Sequence, residues 1–244
     1  MTRKSLRAFF YFDWPWPFLR PRIFKHQGMD SYLKFILHSD QSIKLTADLD
    51  FHLIKSMTGK KNPKIGYIPA ALDLRRKHFE EKVKYYSKIG FIDVAFLEPT
   101  ELESDHACEE FFSRDLIHLS GGSVTEFRDR LLFSGLDLKI SSFLKRGGVL
   151  LGVSAGAMVL QKSFGLAKFL GEKGNLNGLG FFDFEVSPHT NEYFPDLKRL
   201  EDYSLKSKCR IYALNDGDAI TVHDSRNGQK VKMYGKARKI GSEN

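Results

Sequence analysis

The run Gly147-Gly148-Val149-Leu150-Leu151-Gly152-Val153-Ser154-Ala155-Gly156-Ala157-Met158 constrains this chain more than any other stretch. An apolar segment of strand character ends in a serine with a glycine two positions before it and two after, and small residues of helical pattern follow. A strand that stops on such a serine and re-enters as a helix makes a tight elbow that lifts the hydroxyl above the end of a sheet. Glycines keep the turn clear of Cβ clashes, and the new helix directs its first amides and positive dipole end at the site. The same residues also fit a plain strand-turn-helix corner with a serine N-cap. The rest of the chain has to decide between them.

The elements around the elbow alternate. Leu33 to His38, Lys64 to Pro69, Phe91 to Leu97, Leu116 to Leu119 and Gly148 to Val153 read as strands. Helical spacing covers residues 47–57, 75–86, 124–133 and 136–145. Strands alternating with helices of about ten residues imply a parallel sheet covered by helices on both faces, an α/β fold with ligands at the carboxyl ends of the strands. Both glycine turns, at Gly121-Gly122 and at Ser154, lie at such ends. Residues 165–180 read as a loop, residues 181–186 as an alternating strand, and residues 195–205 as a helix. Residues 210–214, 219–222 and 230–234 then read as short antiparallel strands near the C-terminus, joined by Asn215-Asp216-Gly217-Asp218 and Arg226-Asn227-Gly228 turns.

Charge argues against a polyanionic partner. Residues 1–28 hold Arg3, Lys4, Arg7, Arg20, Arg22 and Lys25 against Asp13 alone, which is +5 of the net +8. The remainder is only mildly basic, so nucleic acid is not an expected partner. That opening segment, rich in aromatics and broken by prolines, reads as an irregular extension and a poor secretory signal, with Met29 an expected start of translation. A single α/β domain is expected over residues 29–244. No run approaches the roughly 18 to 20 apolar residues that span a bilayer, so no membrane partner is expected. The two cysteines, Cys108 and Cys209, fit a reducing, cytoplasmic setting. No His/Cys/Asp cluster has ligand spacing, so neither metal nor cofactor is expected.

A serine hydroxyl needs a base within reach and a third group to hold that base. Of the eight histidines, His38 and His118 lie near strand ends and remain possible bases. His189 stands apart, because Pro188 stiffens its approach, a strand ends there, and Thr190-Asn191 continue a polar loop.

Together, Gly152-Val153-Ser154-Ala155-Gly156-Ala157, the glycine turn Gly121-Gly122-Ser123-Val124-Thr125 and Ser187-Pro188-His189-Thr190-Asn191 resemble the S51 peptidase family of aspartyl dipeptidases (peptidase E) and cyanophycinases. The resemblance covers roughly residues 30–225 and implies a class I glutamine-amidotransferase-like three-layer sandwich with a mostly parallel central sheet. It implies Ser154 as nucleophile and His189 as general base, with amides of Ala155 and Gly122 as the oxyanion hole. The family draws its third member from the loop between serine and histidine, which points to Glu172, with Asp183 and Glu185 as alternatives on the following strand. Gly121, Asn191 and Arg199 are the expected substrate contacts, Arg199 as the clamp for a substrate carboxylate. The dipeptidases have more arginines than Leu197-Lys198-Arg199-Leu200 and an asparagine where this chain has Ser123, departures that bear on aspartyl preference more than on hydrolysis.

The resulting expectation is a serine peptidase acting on small peptides, among them ones with an N-terminal aspartyl residue, as a monomer or homodimer. Two other readings stay open: a serine hydrolase of another amide or ester, and a catalytically silent amidotransferase-like binding module.

Overall fold

A computed structural model describes residues 33–241, apart from residues 102, 103, 170, 172, 174, 175, 195, 226 and 227. The extension read over residues 1–28 lies outside the described residues. In chain order the elements are β1 (Leu33–His38), α1 (Ile43–Thr58), β2 (Ile65–Ile68), α2 (Lys77–Lys88), β3 (Val94–Phe96), α3 (Asp105–Phe111), β4 (Leu116–Leu119), α4 (Val124–Phe133), α5 (Leu136–Lys145), β5 (Val149–Val153), α6 (Ala155–Met158), α7 (Gly165–Phe169), β6 (Glu185–Ser187), α8 (Thr190–Tyr193), α9 (Lys198–Ser207), β7 (Ile211–Ala213), β8 (Ala219–Ser225), β9 (Gly228–Tyr234) and β10 (Arg238–Ile240).

The first five strands form the parallel part of a seven-stranded sheet in the order β3-β2-β4-β5-β1-β8-β9. β5 lies between β4 and β1, with Leu150 opposite Ile117 on one side and Phe35 on the other. Parallel strands covered on both faces carry continuous apolar runs, and every residue of β2, β4 and β5 is buried. One face packs Phe35, Ile117 and Leu150 against Phe127, Ile140 and Phe143 of α4 and α5. The other packs Ile36, Ile65 and Leu151 against Leu53, Ile54 and Tyr86 of α1 and α2. The sheet thus lies between two helical layers, as the strand-helix alternation implies.

The C-terminal third holds the expected short antiparallel strands, divided between two sheets. β8 and β9 do extend the main sheet antiparallel to β1. β7 belongs to a second, three-stranded sheet, where it runs parallel to β6 and antiparallel to β10. The strand expected over residues 181–186 shrinks to Glu185–Ser187. Phe182 and Phe184 stack on each other at 4.8 Å, and Phe182 meets Phe35 edge-on at 4.7 Å, so these rings fill the core instead of forming a ladder.

Beneath the end of β1 lies a buried polar group. His38 Nε2 is 2.7 Å from Asp50 Oδ1, both side chains fully buried, and Asp50 Oδ2 accepts from Tyr85 Oη and Gln41 Nε2. Burial alone raises the Asp50 carboxyl pKa, but the His38 charge and the three donors outweigh it and hold the group below the usual carboxylate range. No described helix is long and apolar enough to cross a membrane.

Candidate active site

At the end of β5 the chain turns on Ser154, which has φ 50° and ψ −111°, a conformation rare for a residue with a Cβ. Such a position costs about 1–3 kcal/mol and persists where its surroundings over-determine it. Here the Ser154 amide donates to the His38 carbonyl at 3.0 Å, and its own carbonyl accepts from the Ala157 and Met158 amides. The flanking glycines are required by backbone contacts. A Cβ on Gly152 would meet the Gly156 carbonyl, and one on Gly156 would overlap the Leu119 carbonyl of β4. No side-chain rotation relieves an overlap with backbone. Gly156→Ala is therefore expected to destabilise the protein by about 1–3 kcal/mol, read as a lower urea midpoint at unchanged slope.

α6 is a single turn, Ala155–Met158, shorter than the small-residue pattern suggests. A helix dipole summed over one turn is small, so any electrostatic help to the serine comes from individual amides. The glycine turn after β4 sits beside the serine: a Cβ on Gly121 would lie 3.6 Å from Ser154 Cβ. Gly122, at φ +150°, faces Ala70 so closely that a Cβ there would stand 2.9 Å from the alanine methyl. Ser123 is taken up as the N-cap of α4, where its hydroxyl accepts from the Glu126 amide. The amides of Ala155 and Gly122 donate to no backbone acceptor among the described residues.

His189 follows β6 and, like Ser154, has a positive φ, 52°. Its Nε2 is 3.0 Å from Ser154 Oγ. Its Nδ1 is 2.6 Å from Asp216 Oδ1. A carboxylate can only accept, so Nδ1 carries the proton and the Nε2 lone pair faces the serine hydroxyl. The His189 and Asp216 side chains are 25% and 33% exposed, so the relay is open to solvent along one side.

Asp216 is the residue that sequence reasoning assigned to a turn. The turn holds two aspartates, and the other, Asp218, is committed to scaffolding: it is buried and its carboxylate accepts from the Asn215 and Lys236 amides. That leaves Asp216 for the imidazole, a division of labour that the Asn-Asp-Gly-Asp pattern alone does not reveal. Glu172, expected in this role, lies outside the described residues. Of the alternatives, Asp183 is exposed beside Arg210. Glu185 is buried, accepts from the Leu166 amide and Tyr203 Oη, and has its carboxyl pKa pushed up by burial.

Two expected substrate contacts, Arg199 and Asn191, also have partners within the protein. Arg199 lies over the rings of Phe169 and Phe194, at 5.5 and 5.8 Å from their centroids. Asn191 Oδ1 accepts from the Asp216 amide at 3.2 Å, buttressing the turn that holds the carboxylate. The two other candidate bases have partners of their own: His38 pairs with Asp50. His118 is fully buried with Nδ1 2.7 Å from Tyr86 Oη, and burial depresses its pKa well below the usual imidazole range. A cavity of about 240 Å³ adjoins the His189 loop, lined by Thr190, Asn191, Asn215, Lys236 and Arg238 together with apolar residues. A second, of about 290 Å³, lies by β3 and α3, and neither cavity is lined by Ser154, His189 or Asp216 themselves. Among the described residues no group of three His, Cys, Asp or Glu side chains could hold a metal ion.

Comparison with known proteins places the chain in a peptidase family. The model of peptidase family S51 matches residues 36–229, well over half of the chain. A structure described as a putative peptidase E protein from Listeria monocytogenes EGD-e superposes with a TM-score of 0.62 at 20% identity, covering 84% of this chain and 100% of that one. A peptidase from an acI-B1 Actinobacterium superposes with the same TM-score at 19% identity, covering 88% and 97%. At such identities the two structures speak for the fold. Over 111 residues the chain is also 32% identical to a probable cobyric acid synthase of Methanococcus maripaludis, a match that covers 44% of this chain and 23% of that longer protein.

Proposed function

The chain belongs to peptidase family S51, and from that premise we propose that it is a serine-type peptidase that cleaves small peptides through Ser154, His189 and Asp216. The observation that carries the proposal is the relay itself, 3.0 Å from Ser154 Oγ to His189 Nε2 and 2.6 Å from His189 Nδ1 to Asp216 Oδ1. In the proposed reaction the Ser154 hydroxyl adds to the scissile carbonyl while His189 Nε2 takes its proton, and Asp216 stabilises the imidazolium. The uncommitted amides of Ala155 and Gly122 receive the oxyanion. His189 returns the proton to the leaving amine, and a water activated by the same nitrogen clears the acyl-enzyme. All of these groups belong to the protein, so the proposed cycle uses no metal and no cofactor.

A preference for acidic peptides finds better support at the cavity beside His189 than at Arg199. Lys236 and Arg238 line that cavity, are exposed, and have no ion-pair partner among the described residues. Replacing both with alanine is expected to raise KM for an Asp-Xaa dipeptide by about ten- to hundredfold, since a charge-assisted hydrogen bond contributes about 1.5–3 kcal/mol, while kcat stays near its original value. Steady-state kinetics on paired acidic and neutral dipeptides checks this. The function itself is tested by a fluorophosphonate label and an Asp-Xaa panel: labelling at Ser154 with dipeptide turnover is expected. A label without turnover would assign the serine to another amide or ester. Absence of both, in a protein that still shows ligand-induced thermal shifts, would leave a binding module.

A further inference from the structure

We infer that Ser39, the first residue after β1, is the positioning residue that aligns the acid and base of the relay; the inference rests on the proposed roles of Ser154, His189 and Asp216. Ser39 is fully buried and uses its hydroxyl in both directions. Its Oγ donates to Asp216 Oδ1 at 2.9 Å and accepts from the His189 amide at 2.7 Å. Its amide donates to the Asp218 carbonyl at 3.3 Å, which anchors the turn that presents Asp216. The residue before it, His38, gives its carbonyl to the Ser154 amide. A dipeptide at the end of β1 therefore touches the backbone or side chain of nucleophile, base and acid, residues that lie 115 to 177 positions further along the chain.

The hydroxyl has a defined electrostatic effect. Asp216 Oδ1 accepts from both Ser39 Oγ and His189 Nδ1, so the carboxylate is held in one orientation and part of its charge is drawn toward the serine. Without that donor more of the carboxylate's charge falls on the imidazole, and the Nδ1–H bond to Oδ1 changes in strength. The His189 backbone, held at positive φ, also loses the acceptor for its amide. The underlying support is stiff, because His38 is itself paired with Asp50 in the buried group below.

The test compares the full chain with Ser39→Ala and with Ser39→Cys, which keeps a weaker donor in nearly the same volume. Two quantities are read: the pH dependence of fluorophosphonate labelling at Ser154, and the down-field Nδ1 proton resonance of His189. The alanine variant is expected to label about ten- to hundredfold more slowly, with the acid limb of its pH profile displaced and the resonance shifted. The cysteine variant should fall between alanine and serine. A loss of rate with an unmoved limb and an unmoved resonance would make Ser39 merely structural and overturn the inference, as would unchanged labelling in folded Ser39→Ala. If the parent protein takes no label, the hydrolase reading fails on its own. The resonance, which needs no turnover, still decides whether Ser39 acts on the imidazole.

Discussion

Replacing Ser154 with alanine is expected to lower kcat for any peptide the protein cleaves by about 10⁶-fold, the scale seen when the nucleophile of a serine relay is removed. His189 Nε2 faces Ser154 Oγ, and the buried histidines His38 and His118 have partners of their own. The alanine keeps the Cβ and the backbone bonds to His38, Ala157 and Met158, so the positive φ at this position is equally strained in both proteins. Thermal unfolding should therefore shift by less than about 1 kcal/mol, the usual range for a change that creates no cavity and orphans no buried group. Residual turnover within tenfold of the parent would remove Ser154 from the reaction.

The second large effect belongs to Asp216. In Asp216→Asn the amide can donate to Nδ1, which places the imidazole proton on Nε2, where it points at Ser154 and cannot accept. A loss of about 10⁴-fold in kcat is expected, the magnitude such a tautomer error produces in serine relays, with KM changed little. The paired measurement is Glu172→Gln, expected to stay within a few-fold of the parent because Asp216 already occupies Nδ1. A thousandfold loss in Glu172→Gln beside a near-normal Asp216→Asn would transfer the orienting role.

The two carboxylates show where reading the sequence succeeds and where it stops. β2, β4 and β5 are legible because strands buried on both faces must be apolar throughout, and the elbow is legible because Gly152 and Gly156 answer local backbone contacts. His189 is legible as a histidine at a strand end after a proline. Asp216 is not, since it comes from a turn whose composition already has a local explanation, and only the pairing of β8 with β1 carries that turn to the imidazole. α3 is hidden for a different reason: only Cys108 and Phe111 of its seven residues are buried, too few to set a period. The parallel pairing of β7 with β6 joins segments more than twenty residues apart and leaves no mark in either. Phe182 and Phe184 alternate as strand residues do, yet they are core rings stacked on each other.

The ends of the main sheet bear on how the chain avoids sticking to itself while it folds. Sheets built from distant parallel strands assemble slowly, and their unpaired borders are templates for unwanted accretion in the meantime. One border, β3, offers only three residues, too short a ladder to seed growth. The other, β9, is seven residues long, but Lys230 and Lys232 project from the same side of it, opposite His223 and Thr221 of β8. A second molecule docking in register along that border would bring like charges within about 5 Å. Such a repulsion opposes growth at that border, and the hairpin there caps a parallel sheet whose next strand, β1, ends at His38 and Ser39, the pair that hydrogen-bonds to Ser154, His189 and Asp216.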